Sequence, residues 1–242
     1  MGRGDGRREG GHRGRRALWP ARLARAQGGH PPRPLRRARR QGRTSRGRDP
    51  APAARERARS PGRVLSSVAW STRVAGPDDA DALTRLHVAC LRETYQPLYG
   101  QDFAEALLSE ESVAAIAAED REFLSDPVGR VVLGLDGTGE PAGFATVCDG
   151  PQRWELQFEP DLQPERELVK LYVLERLHGS GLGRQLLDEA VEGHDPVYLW
   201  IMAGNARAEA FYAKNGFERI GPAYQADGPW AGQETFRMRR AL

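Results

Sequence analysis

The sequence predicts an α/β fold behind an N-terminal segment that has no core of its own. Three observations carry that prediction. In residues 167–184, ELVKLYVLERLHGSGLGR, Val, Leu and Tyr alternate as in a strand, and glycines follow at every other position (Gly179, Gly181, Gly183). A helix then opens with Leu182, Leu186, Leu187 and Ala190 on one face. Residues 197–202 read as a short strand, apolar throughout and buried on both faces, followed at once by a helix over 205–215. Finally, charge divides the chain. Residues 1–63 hold 20 Arg and 4 acids (Asp5, Glu9, Asp49, Glu56), a net of +16, whereas 64–242 hold 14 Arg, 2 Lys and 29 acids, a net of −13. Together these give the formal +3, so the alkaline isoelectric point describes neither part.

The 242 residues allow one or two domains. Residues 1–66 are built almost wholly of Arg, Gly, Pro and Ala, too poor in apolar side chains to offset the entropy of ordering, and are expected to be disordered. Three readings of this segment stay open: a basic arm on nucleic-acid phosphates, although Trp19 is its only aromatic; an organelle transit peptide, although Ser is scarce; or translation from upstream of the true start, with Val64 or Val68 as alternative starts. Nucleic acid is not expected as a partner. A domain follows over residues 67–242.

Within it, residues 72–75 form a first strand closed by Gly76-Pro77, and Asp78-Asp79 suit a helix N-terminus. Leu83, Leu86, His87, Cys90 and Leu91 mark that helix's inner face, with His87 a core-edge histidine. ETYQPLYGQDF breaks the helix at Pro97 and Gly100, and a second helix covers 104–118, extending toward Leu124. Residues 130–135 and 142–148 pair as a hairpin around DGTGE. Residues 150–164, polar with Trp154 and Phe158, have no assigned element. The helix over 205–215 ends at Gly216, and 217–220 and 235–239 close the sheet across a glycine-rich loop. Cys90 and Cys148 lie in apolar runs without metal spacing and read as buried thiols in a reducing compartment. No metal is expected, no apolar run reaches the roughly 18–20 residues of a membrane span, and the expected location is cytoplasmic.

A strand, a glycine loop and a helix start form a device for holding phosphates: backbone N–H groups converge and the helix dipole adds positive charge. GxxxxGK[ST] is absent, and GxGxxG fails because Arg184 stands at its third glycine. HGSGLG at 178–183 instead resembles the (Q/R)xxGxG acetyl-CoA loop of the GNAT N-acetyltransferase superfamily. Asn205, Ala208, Phe211, Tyr212, Lys214, Gly216 and Phe217 reproduce its NxxAxxFYxKxGF motif at the proper distance downstream. The resemblance covers about 72–242, and the ending FRMRRAL after a glycine-rich loop is similar to the PaiA-like polyamine acetyltransferase branch.

This resemblance implies a mixed, mostly antiparallel sheet flanked by about four helices. Its fourth and fifth strands splay apart, and acetyl-CoA serves as acyl donor between them. Leu171, Tyr172 and Val173 would border the donor, with the Val173 N–H polarising the thioester carbonyl and steadying the oxyanion. His178, Gly179, Ser180, Gly181, Leu182, Gly183 and Arg184 would cradle the pyrophosphate by backbone N–H. Asn205 would bond the pantetheine, with Ala208 and Phe211 beside it. His178 departs from the usual Gln or Arg, so the bidentate guanidinium grip is lost, and Arg176 or Arg184 is expected to compensate. An alkylamine with a pKa of ~10.4 arrives as ammonium and needs a base. Glu167 takes that position, with Glu165 and Glu155 as lesser candidates, and Tyr212 would protonate the leaving thiolate.

The acceptor would meet Tyr95, Gln96 and Tyr99 between the first helices, and Tyr224, Asp227 and Trp230 in the last loop. Aromatic rings with carboxylates suit a cationic small-molecule amine, a polyamine included. Two rivals stand beside this reading: a RimI-like protein N-terminal acetyltransferase, and a non-catalytic CoA-binding module whose basic tail touches nucleic acid. A homodimer is carried as a further expectation.

Overall fold

The structure, a computed structural model, describes residues 69–125, 129–193 and 196–241. The expectations for residues 1–66, with the starts at Val64 and Val68, lie outside the described residues. In chain order the elements are β1 (Trp70–Val74), α1 (Ala80–Tyr99), α2 (Gln101–Leu107), α3 (Glu110–Ser125), β2 (Gly129–Asp136), β3 (Pro141–Gly150), β4 (Glu165–Val173), α4 (Leu182–Ala190), β5 (Val197–Met202), α5 (Ala206–Lys214), β6 (Glu218–Gln225) and β7 (Glu234–Arg240). The seven strands make one sheet in the order β1-β2-β3-β4-β5-β7-β6. Every neighbouring pair is antiparallel except β4 and β5, which run parallel.

Apolar periodicity sorts the helices onto two faces. Leu182, Leu186, Leu187 and Ala190 bury α4 against Val132, Ala145, Val147 and Leu199 on one face, and Tyr212 of α5 joins them. On the other face Leu83, Leu86 and Cys90 of α1 and Phe123 and Leu124 of α3 cover Leu133, Phe144 and Cys148. The sheet is thus the middle of three layers, and whatever opens between β4 and β5 opens between two packed cores. The hairpin joining β2 to β3 is an Asx-type turn, as DGTGE predicts: Asp136 Oδ1 accepts from the Thr138 N–H at 2.9 Å and its hydroxyl at 2.6 Å.

Three boundaries differ from expectation, each for a local reason. Helix α1 runs through Pro97 and stops at Gly100, where φ reaches 91°. Pro97 sits in the last turn, so its missing N–H removes a bond only where the helix is about to end. The second expected helix is two, because Ser109 starts a new one: its carbonyl accepts from Val113 N at 2.9 Å and its hydroxyl from Ser112 N at 3.3 Å. Strand β6 continues past Ile220 to Gln225, the register shift between Ile220 and Ala223 absorbing Gly221-Pro222. As the edge strand, β6 tolerates a proline. Residues 150–164 form a connection with one short 3₁₀ turn, Glu155–Gln157.

Candidate active site

Strands β4 and β5 pair only at Arg166↔Val197 and Glu167↔Tyr198. Past that fork, residues 168–173 and 199–202 have no partner across the gap, and a cleft opens with walls from Leu168, Leu171, Tyr172, Ile201 and Met202. Which main-chain groups face it follows from the ladder on the other side of β4. Leu174 N donates to Ala142 O at 2.9 Å, so the neighbouring pairs Gly143↔Val173 and Ala145↔Leu171 are the non-hydrogen-bonded ones. The N–H and C=O groups of Leu171 and Val173 therefore point into the cleft. Tyr172 points its main chain at β3 and contributes its ring, 5.6 Å from those of Phe144 and His87. Burial keeps His87 neutral, its pKa lowered to about 4.

At the wide end stands the glycine loop. Gly179 and Gly181 have φ of 77° and 97°, a region where a Cβ would be strained, and this lets successive amides turn the same way. Several of the amides expected to cradle phosphate are already engaged. His178 N donates to Glu175 O at 3.0 Å, Ser180 N to Leu177 O at 3.2 Å, Leu182 N to Ser180 Oγ at 3.3 Å and Arg184 N to Gly181 O at 3.1 Å. Among the described residues the N–H groups of Gly179, Gly181 and Gly183 have no partner, so the cradle narrows to the three glycines, the last of them in the first turn of α4. The guanidinium groups expected to compensate for His178 are also committed. Arg176 bonds Asp136 at 2.7 Å, and Arg184 bonds Asp188 at 2.6 Å and Asn215 at 2.5 Å.

Across the cleft, Asn205 caps α5 by accepting from Ala208 N at 3.1 Å and lines the cleft, leaving its Nδ2 without a partner among the described residues. Ala208 and Tyr212 line the same wall, and Phe211 packs just behind, where a Cβ on Gly183 would lie 3.5 Å from its ring. Tyr212 is a buried residue on the cleft wall whose hydroxyl has no hydrogen-bond partner among the described residues, and burial raises its pKa. It is a phenol held protonated with its proton uncommitted.

Glu167 lies at the closed end, in the last pair before the fork, and is buried below the cleft wall rather than on it. Beside it Glu155, fully buried, accepts from Gln152 N at 2.5 Å, the Tyr198 hydroxyl at 2.9 Å and Trp200 Nε1 at 2.7 Å. Burial raises both carboxyls. Those three donors favour charge on Glu155, and its charge, after burial, pushes Glu167 well above the ordinary glutamate range. Glu165 is instead paired with Arg239 at 2.7 Å.

The expected acceptor residues separate into layers. Tyr95 and Asp227 line the cleft. Tyr99 and Trp230 stand behind Tyr95, their ring centroids 5.9 and 4.7 Å from its own, and Tyr99 is tied to Ala203 O at 2.8 Å. Gln96 is exposed on α1 and does not join the cleft. Tyr224 belongs to an aromatic cluster that sequence reasoning missed. Trp154, Phe158 and Trp200 line the cleft, with Trp200 centroids 5.1 Å from Trp154 and 6.0 Å from Phe158, and Tyr224 lies 5.0 Å from Phe158. The aromatic points of the unassigned segment 150–164 were the available signal. Among the described residues no group of three or more His, Cys, Asp or Glu side chains forms a metal site, and no helix is long and apolar enough to cross a membrane.

A parallel fork in an otherwise antiparallel sheet, with a glycine loop on one arm and a capped helix on the other, defines an acyl-transferase type of fold. The chain belongs to the acetyltransferase (GNAT) family, whose model matches residues 81–217. An uncharacterized N-acetyltransferase of Mycobacterium tuberculosis is 32% identical over 107 residues, 42% of this chain and 61% of that protein. The chain thus spans about three-fifths of that relative's length. An uncharacterized N-acetyltransferase of Archaeoglobus fulgidus is 28% identical over 152 residues, 61% of this chain and 92% of that one. Among solved structures, the PaiA N-acetyltransferase of Thermoplasma acidophilum, in complex with coenzyme A, shares the fold with a TM-score of 0.52 at 19% identity, covering 72% of this chain and 99% of that one.

Proposed function

We propose that this chain is an acetyl-CoA-dependent N-acetyltransferase. It moves the acetyl group to the primary amine of a small molecule, in its more specific form a polyamine, by direct transfer in a ternary complex. The observation that carries the reading is the fork. It leaves the main-chain N–H groups of Leu171 and Val173 and the Leu171 C=O without a strand partner in the gap, the Val173 C=O meeting only the His178 ring, with the three free glycine amides at its wide end. Unpaired peptide groups beside a cradle of N–H donors fit a long amide-bearing thioester that ends in phosphates. PaiA, crystallised with coenzyme A, shares this fold.

Each residue then has a task. Leu171 and Val173 bond the pantetheine amides, the Val173 N–H donates to the thioester carbonyl oxygen, and Asn205 Nδ2 adds a side-chain donor. Glu167, one residue below the cleft wall, receives the ammonium proton through water; its raised pKa brings it nearer that of the amine. The freed nitrogen forms the amide bond as the C–S bond breaks, Tyr212 gives its proton to the departing sulfur, and the second proton that the nitrogen sheds on becoming an amide restores the phenol. Trp154, Phe158 and Trp200 with the Asp227 carboxylate make an aromatic, anionic bed for a cation, and the net −13 of residues 64–242 adds long-range attraction.

Thiol release measured over a panel of monoamines, polyamines and N-terminal peptides tests the proposal. Turnover of small amines is the expected result. Turnover of peptides alone rejects the small-amine reading in favour of protein N-terminal acetylation. CoA binding with no acceptor turned over leaves a binding module.

A further inference from the structure

The first position of the glycine loop carries an imidazole, and the structure shows what it does. His178 Nε2 lies 2.8 Å from Val173 O, and His178 Nδ1 lies 2.7 Å from Nη1 of Arg207. A guanidinium can only donate, so Nδ1 is the acceptor and Nε2 carries the hydrogen given to Val173 O. His178 follows β4 and Arg207 is in the first turn of α5, so the contact spans the wide end of the fork from one arm to the other. It also occupies the one carbonyl at the end of β4 that faces the cleft. The three guanidinium groups around the loop differ in their partners. Arg176 and Arg184 are held by carboxylates, whereas Arg207, exposed, meets no carboxylate among the described residues and has the imidazole of His178 as its side-chain partner.

We infer that Arg207 is the cation that grips the diphosphate of the acyl-donor nucleotide, and that His178 is the clasp that holds it when the donor is absent. This rests on the donor site proposed above. An imidazole nitrogen is a weak competitor for a guanidinium beside a phosphate, which accepts two parallel hydrogen bonds and carries charge. Capture of Arg207 by phosphate releases the ring of His178, and the ring in leaving frees Val173 O to accept from a pantetheine amide. One cation therefore serves where the usual loop carries its own, and the nucleotide end of the donor opens the site for the acyl end.

The test titrates CoA, dephospho-CoA (no 3′-phosphate) and pantetheine (no nucleotide) into the full chain and into R207Q, with R207K as the conservative control. Loss of a charge-assisted bidentate contact predicts that R207Q binds CoA and dephospho-CoA roughly 10- to 100-fold more weakly and pantetheine unchanged, with R207K intermediate. The ¹⁵N signals of His178 should report a change of hydrogen bonding when CoA is added, and a smaller one with pantetheine. Equal binding of CoA by R207Q and wild type overturns this inference alone. Weakening of CoA but not dephospho-CoA moves Arg207 to the 3′-phosphate, and equal weakening of all three probes reduces it to a structural contact; both overturn the assignment. If wild type binds none of the probes, the donor site itself is refuted.

Discussion

Replacing Glu167 with Gln separates two properties that a buried carboxyl at the fork combines. The side chain is 3% exposed, and burial with the neighbouring charge of Glu155 raises its pKa well above 4.5. Below pH 4.5 the acid is protonated whether the chain is folded or not, so Gln, which copies the neutral form, is nearly neutral in stability. Above it the unfolded chain ionises and the folded one resists. Wild type then loses about 1.4 kcal/mol per pH unit relative to E167Q until the folded group ionises. Over the same range catalysis moves the other way. A base with a raised pKa works in the fraction that is ionised, so wild-type kcat/KM climbs with pH, and E167Q loses about 10²- to 10⁴-fold and the Glu167 limb of that rise. Urea unfolding at pH 4.5, 5.5 and 6.5, alongside thiol-release kinetics from pH 6 to 9, reads both. A variant whose stability advantage does not grow with pH would show the carboxyl to be ionised or solvated. Wild-type turnover in E167Q would place the base elsewhere.

Other substitutions divide the site further. Tyr212→Phe should lower kcat by about 10²- to 10³-fold with donor affinity kept, since it deletes the uncommitted phenol; an unchanged urea midpoint would confirm that only chemistry was touched. Asp227→Asn should raise KM for polyamines roughly tenfold while sparing monoamines of similar size, because the exposed carboxylate meets a second charge; an equal rise for both would remove it from acceptor selection. His87, wedged beside Asp120 and Lys170, resists protonation until about pH 4 against an ordinary 6.5. Its contribution is therefore present above pH 6.5 and lost as pH falls toward 4. Wild type should lose about 3 kcal/mol relative to His87→Gln over that interval in parallel unfolding curves, and parallel pH dependences would refute the assignment.

What could be seen in the sequence was what is local in it. The strand, loop and helix around Gly179–Gly181–Gly183 and the helix behind Asn205 each announce themselves within about twenty residues, so the elements on the proposed donor side of the cleft were legible, though not which loop amides stay free. The aromatic side, where the acceptor is proposed to bind, was not. Trp200 is bound through Glu155, 45 residues earlier, and only the pairing of β4 with β5 brings the connection at 150–164 over that strand. Gln96 failed for a related reason: α1 continues through Pro97, which turns the residue outward to solvent. His178 looked like the loss of a guanidinium, yet the guanidinium of Arg207 in the next motif reaches its ring at 2.7 Å, a relation invisible in either motif alone. Ser109 was readable as a cap and would have divided the long helix correctly.

The claim on which the rest stands is that the fork between β4 and β5 admits a CoA thioester along its unpaired main chain. Titration of CoA into ¹⁵N-labelled protein, followed by amide shifts, addresses it most directly. Saturable shifts largest at Leu171, Val173, Gly179, Gly181 and Gly183, with the helices α1 and α3 left quiet, are predicted. Saturation with those five amides unmoved, or no saturable shift at all, would contradict it.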